Sequence, residues 1–168
     1  MSGHNKWSQI KRKKEATDAK KSQVFSRLVK EISVQAKLAG GNTSSPGLAT
    51  AIKKARDANM PADNIERAIK KGTDSKENME HILYEGYAPG GIGVVVEALT
   101  ANRNKASQEV RHIFAKHGGA LGAQGSVTRG FEKNYDGWTP TMTVPAEDET
   151  LEILSNIVDE LEEREEVQ

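Results

Sequence analysis

Between Val24 and Ala36 the apolar residues Val24, Phe25, Leu28, Val29, Ile32 and Ala36 recur at three- and four-residue spacing, which predicts one amphipathic helix. Gly40-Gly41 ends it, and Asn42-Thr43-Ser44-Ser45-Pro46-Gly47 reads as a loop. A second helix carries Leu48, Ala51, Ile52 and Ala55 on one side and Lys53, Lys54 and Arg56 on the other. Pro61 suits the first turn of a third helix, in which Ile65, Ala68 and Ile69 repeat until Gly72 stops it. Three short helices with a basic exterior form a small bundle.

From Ile82 onward the period changes. Gly90-Gly91 leads into the apolar run Ile92–Leu99, a buried strand by composition. A helix is expected from about Lys105 to His117, with Val110, Ile113 and Phe114 inward, ending at Gly118-Gly119. Ser126–Glu132 is a weak strand candidate, and Thr139–Val144 is β-branched and alternating. Glu149–Glu163 then predicts an acidic helix with Leu151, Leu154, Ile157, Val158 and Leu161 inward. Strand, helix, strand, strand, helix is the order of a ferredoxin-like βαββαβ plait whose last strand would begin where the sequence reaches Gln168. The expected fold class is therefore α+β: an N-terminal three-helix bundle over residues 1–75, followed by a ferredoxin-like α/β domain over 76–168.

Charge sharpens this division. Residues 1–72 carry 16 Lys and Arg against 6 Asp and Glu, whereas residues 139–168 carry 1 against 10, so the neutral total conceals a basic end and an acidic end. That segregation is the footprint of a nucleic-acid-binding region, with a solvated basic helix face as the plainer alternative. At 168 residues, 36% hydrophobic and 29% charged, the chain has the make-up of a folded protein of one ordinary or two small domains. It has no apolar run long enough to span a membrane, and its first residues lack the apolar core of a secretory signal. The absence of cysteine excludes disulfides, thiolate chemistry and cysteine-based zinc sites. An intracellular, cytoplasmic protein is the expectation, with no membrane partner.

The candidate contacts are cations with one stackable ring. His4, Lys6 and Trp7, followed by Lys11, Arg12, Lys13 and Lys14, combine phosphate-neutralising side chains with an indole that stacks on a base or packs on the first helix. Lys20, Lys21 and Lys30, with Arg27 and Lys37, extend the same surface. Asn102-Arg103-Asn104 lies between strand and helix, where polar side chains cap the helix or contact phosphate. The glycines of Gly86–Gly93 enter a strand and lack a following lysine, so they read as a turn with close backbone approach, not a phosphate loop. His4, His81, His112 and His117 show no metal spacing, and no nucleophile–base set stands out. No cofactor and no catalytic residue are expected.

Several strings resemble the YebC/PmpR family in that family's order: Ser2–Trp7, Asn59-Met60-Pro61, Ile65–Gly72, Tyr84–Gly91, Asn102-Arg103-Asn104 and Glu109–His112. The likeness runs from residue 2 to about 126 and resumes from about Trp138, where Leu161–Gln168 resembles the family's acidic C-terminal helix. The resemblance implies a helical bundle and an α/β domain interrupted by a second α/β domain. That inserted domain is expected to be absent here, between about residues 133 and 138. It also implies a cytoplasmic role, with a mitochondrial relative placing the matrix as the location in a eukaryote. The implied activity is that of a translation factor acting on ribosomal RNA and the ribosome, relieving stalling at proline-rich stretches. The older implication is a transcriptional regulator binding duplex DNA. A third expectation is an interaction module that self-associates through its basic and acidic ends, or through an open sheet edge left by the missing last strand.

Overall fold

The computed structural model describes residues 18–135, 137–164 and 166–168, and side chains from residue 21 onward. Among the expectations above, those on His4, Lys6, Trp7, Lys11, Arg12, Lys13 and Lys14 therefore fall outside the described residues. The chain divides into two compact units, Ala16–Met79 and a second that contains Glu80–Gln168.

The first unit holds three helices: α1 (Asp18–Leu38), α2 (Pro46–Asp57) and α3 (Ala62–Asp74). Of the apolar stripe predicted for α1, Ile32 and Ala36 are fully buried beside Leu48, Ala51, Ile52 and Ala55 of α2 and Ile65 and Ala68 of α3, Phe25, Leu28 and Val29 pack there in part, and Val24 is exposed. Helix α1 stops because Gly40 and Gly41 adopt φ of 56° and 82°, and the Gly41 amide returns to the Ala36 carbonyl at 2.9 Å. Asn59, at φ 62°, performs the same reversal after α2 without a glycine. Gly72 departs from expectation: it lies inside α3, which runs on to Asp74. A Cβ there would stand 2.0 Å from the Ser33 carbonyl oxygen, so the glycine lets α3 cross α1 at backbone contact. The Ser33 hydroxyl seals the crossing by donating to the Ala68 carbonyl at 3.0 Å.

The second unit begins with a hairpin that the sequence did not announce. Strand β1 (Glu80–Ala88) pairs along its whole length with β2 (Ile92–Thr100), turning at Gly90 and Gly91 with φ of 84° and 75°. Only the second of these strands was expected, because β1 mixes Glu85 and Gly86 into its apolar positions. Helix α4 (Arg103–Lys116) follows, then the two-residue strand β3 (Ala120–Leu121), which pairs with β1 at Gly86 and Tyr87. Ser126–Glu132 is not one strand: a 3-10 turn occupies Thr128–Gly130, and only from Phe131 does β4 (Phe131–Asn134) begin. It pairs with β5 (Gly137–Pro140) in a separate two-stranded sheet. The strand expected over Thr139–Val144 ends at Pro140; Met142 and Val144 are exposed, and β-branched composition without a partner strand does not make a ladder. Helix α5 (Asp148–Glu162) completes the unit.

The sheet order β2-β1-β3, antiparallel throughout, gains a start on a fourth position. Val167 bridges Ala98, the Leu99 amide donates to Glu166 and the Gln168 amide to Glu97, both at 2.8 Å. The place of the last strand thus begins to be filled, and the edge expected to be open is occupied along Glu97–Leu99. The plait is ferredoxin-like, with one central strand supplied by β1 from ahead of the expected series. Helices α4 and α5 cover one face: Phe114, Ile113 and Val110 meet Leu151, Leu154 and Ile157 over Ile82, Tyr84, Val96 and Ala98. Gly86 sits beneath the Phe114 ring, where a Cβ would come within 2.6 Å. Period-two alternation places His81, Leu83, Glu85 and Tyr87, with Gly93, Val95, Glu97 and Leu99, on the opposite face.

Candidate nucleic-acid interface

In the helical unit, burying the apolar stripes leaves the cations outside. Lys21 is exposed on α1; Lys53 and Arg56 are exposed on α2, and Lys70 and Lys71 on α3. Lys30, Arg27 and Lys37 are half-buried on α1, where the Lys37 ammonium donates to the Glu77 carbonyl. Lys53 pairs with Asp57 at 2.7 Å, one turn along the same helix, and Lys54 with Glu31 at 3.1 Å between α2 and α1. A solvent-facing pair such as Lys53–Asp57 stabilises by about 0–1 kcal/mol, so its cation is readily redirected to a phosphate, whereas Lys54–Glu31 is half-buried. Lys20 lies in the first turn of α1. Reading the sequence singled out α1; the structure adds Arg67, Lys70 and Lys71 of α3, which packs directly on α1. Their spacing on an amphipathic helix was the available signal.

The Asn102-Arg103-Asn104 set belongs to the other unit and resolves differently. Asn102 caps α4: its side-chain oxygen accepts from the Lys105 amide at 3.1 Å, and its own amide donates to the Thr100 hydroxyl at 3.0 Å. Asn102 thus makes the capping contact that was one of the two readings open for it. Arg103 and Asn104 are exposed in the first turn; Arg103 approaches Glu80 at 3.8 Å, and Lys105 lies within 3.9 Å of Glu109 and 3.7 Å of Glu166.

Two carboxylates on the helix-free sheet face were not singled out by sequence. Glu85 is 5% exposed and accepts from the amides of Gly125, Val127 and Thr128 at 2.6, 2.7 and 2.8 Å. Burial alone would raise its carboxyl, but those backbone donors hold it below the ordinary value of 4.5. Glu97 receives the Lys133 ammonium at 2.8 Å and the Trp138 indole N–H at 2.9 Å; again burial pushes the group up and these donors bring it below the ordinary value. Both acids fasten chain to chain. Neither forms part of a metal cluster: among the described residues no group of three or more His, Asp or Glu could hold an ion, and no helix is long and apolar enough to cross a membrane.

The family description "TACO1/YebC protein N-terminal domain" matches residues 5–75, and "TACO1/YebC second and third domain" matches residues 79–136. The chain belongs to the TACO1/YebC family. It is 56% identical over 137 residues to a "Probable transcriptional regulatory protein" of Rubrobacter xylanophilus, covering 79% of this chain and 55% of that one. A protein of the same name from Thermotoga petrophila is 53% identical over 136 residues, covering 79% and 54%. The chain thus spans about half the length of these curated TACO1/YebC relatives. It also resembles the crystal structure of a conserved hypothetical protein, Aq1575, from Aquifex aeolicus, with a TM-score of 0.77, 35% identity and coverage of 90% of this chain and 88% of that one. The TACO1/YebC match takes in all three helices of the basic unit together with the β1–β2 hairpin, α4 and the Glu85-held loop, which are the parts described above.

Proposed function

We propose that this protein is a non-enzymatic, nucleic-acid-binding regulator whose helical unit makes the principal contact. The observation that carries the reading is the placement of cations from all three helices on the outside of one small bundle, close to partners they can exchange. The names of the TACO1/YebC relatives favour duplex DNA and transcription as the target. A translation factor on ribosomal RNA is the second reading. It is favoured by the character of the exposed cations, mostly lysines suited to a phosphate backbone, with no exposed row of Arg, Asn and Gln on one helix among the described residues of the helical unit to read major-groove edges. In either case Arg103 and Asn104 are candidate secondary phosphate contacts. A second copy of the chain is a further candidate partner, through the part of the β2 edge beyond Glu97.

The deciding experiment sets a gel shift with duplex DNA against co-sedimentation with ribosomes at the same moderate salt. DNA binding without ribosome association supports the transcriptional reading, and the reverse supports the translational one. Failure of both would overturn nucleic-acid binding itself. In whichever assay succeeds, Lys70→Ala with Lys71→Ala is expected to reduce the slope of log affinity against log salt by about 1–2.

A further inference from the structure

Helix α4 has a buried side and, opposite it, a polar row. Ala106, Val110, Ile113 and Phe114 are buried. At about 3.6 residues per turn, that directs Asn104, Gln108, Arg111 and Ala115 away from the core along one line. All four are exposed. Among the described residues, the side chains of Asn104, Gln108 and Arg111 make no hydrogen bond or ion pair. The other charges of α4 stand beside this row. Lys105 lies within 3.9 Å of Glu109 and 3.7 Å of Glu166, Lys116 reaches Glu160 at 2.8 Å, and Arg103 approaches Glu80 at 3.8 Å. These acids are met by cations on the flanks, and none of them falls within the row. The helix itself carries Arg103, Lys105, Arg111 and Lys116 against the single acid Glu109. Its backbone is held firmly, by the Asn102 cap at one end and the fully buried Phe114 towards the other.

We propose, resting on the nucleic-acid reading above, that the row Asn104–Gln108–Arg111 is a second contact, which reads base edges in the major groove of duplex DNA. The cations of the helical unit supply the attraction to phosphate, and α4 supplies the discrimination. The amides of Asn104 and Gln108 each offer a donor and an acceptor, which match N6 and N7 of adenine. The Arg111 guanidinium offers paired donors to O6 and N7 of guanine, and the Ala115 methyl suits a thymine methyl. From Asn104 to Arg111 the row covers about 10 Å of helix axis. At about 3.4 Å per step this is about three base pairs. The B-form major groove, about 12 Å wide, admits a helix, whereas side chains cannot read that of A-form RNA. Arg103 and Lys105, beside the row, take the flanking phosphates.

The test uses the full chain and a pool of duplexes about 20 base pairs long with a randomised centre, enriched by repeated gel shift. Affinities for the enriched duplex and for a scrambled one are then measured across salt. The parent is expected to enrich a short motif containing A and G and to prefer it to the scramble. Arg111→Lys keeps the charge but loses the two-donor fork. It should lower that preference about tenfold or more, with the slope of log affinity against log salt unchanged. Gln108→Ala should relax the preference at a different base pair by a similar factor. Both residues are exposed, so the melting curves stay as in the parent. Lys70→Ala with Lys71→Ala weakens binding to both duplexes alike and flattens the slope. A parent that binds DNA without preference, or a preference that survives both α4 variants, would overturn α4 as a reader and leave nucleic-acid binding standing. Binding to ribosomal RNA with none to duplex DNA would do the same. Binding to neither would remove both readings.

Discussion

The helical unit and the α/β unit dispose of their polar groups in opposite ways. In the helical unit the buried set is wholly apolar among the described residues, and every charge stands at or near the surface. The α/β unit buries Glu85, Thr100 and Ser155, and uses the first of these to define the course of a loop. A charge left outside stays available to a partner, and its loss costs the fold little. A charge taken inside is expensive to desolvate and persists only with every acceptor site filled, so it specifies one conformation. The first arrangement suits a contact surface. The second suits a scaffold.

The sharpest test of that contrast lies in the cores. Phe114→Ala, at the centre of the α/β unit, should cost about 3–5 kcal/mol, and Ile32→Ala in the bundle about 2–5 kcal/mol, both read from denaturant unfolding. Gly72→Ala should cost about 1–3 kcal/mol by forcing α3 away from the Ser33 backbone, although alanine is the better helix former; a neutral or stabilising result would show that the crossing yields.

Glu85→Gln should cost about 1–3 kcal/mol and change the acid limb of stability. The folded carboxyl lies below its ordinary value of 4.5, so the unfolded chain binds the proton first. Its stabilisation is complete above the unfolded pKa and disappears as pH falls through the lower, folded one. The glutamine variant should therefore lose less stability than the parent between about pH 5 and acid, and equal slopes would remove Glu85 from the account. The smallest effect on stability, within about 0.5 kcal/mol, is expected of Lys70→Ala with Lys71→Ala, despite their proposed weight in binding. A large loss of stability there would show these lysines to be structural.

The two units also differ in how far they could be read in advance. The spacing of Phe25, Val29, Ile32 and Ala36, or of Leu48, Ala51 and Ala55, is a local signal of one helix face, and each stripe faces the core, Phe25 and Val29 being buried only in part. Strand β1 escaped because its partner makes it a strand: Glu85 and Gly86 are poor strand residues until β2 pairs with them, Phe114 fills the space over Gly86, and a distant loop satisfies the carboxylate. Met142–Val144 shows the converse, strand-like composition with no partner strand among the described residues. Of the candidate contacts, Lys21 lies outside the bundle as its helix position required, while the capping bond of Asn102 could not be read from spacing.

The sequence by itself determined the basic bundle, its helix faces, the two helices of the α/β unit and the family to which the chain belongs, because periodicity, charge and helix-ending glycines act within a few residues of one another. The tertiary structure alone decided that Gly72 is a crossing point, that Glu85 is an internal anchor and that Lys133 and Trp138 share one oxygen of Glu97. Each of these depends on groups about 35 to 45 residues apart, and such encounters are set by how packed layers meet, not by the order of residues along any one of them.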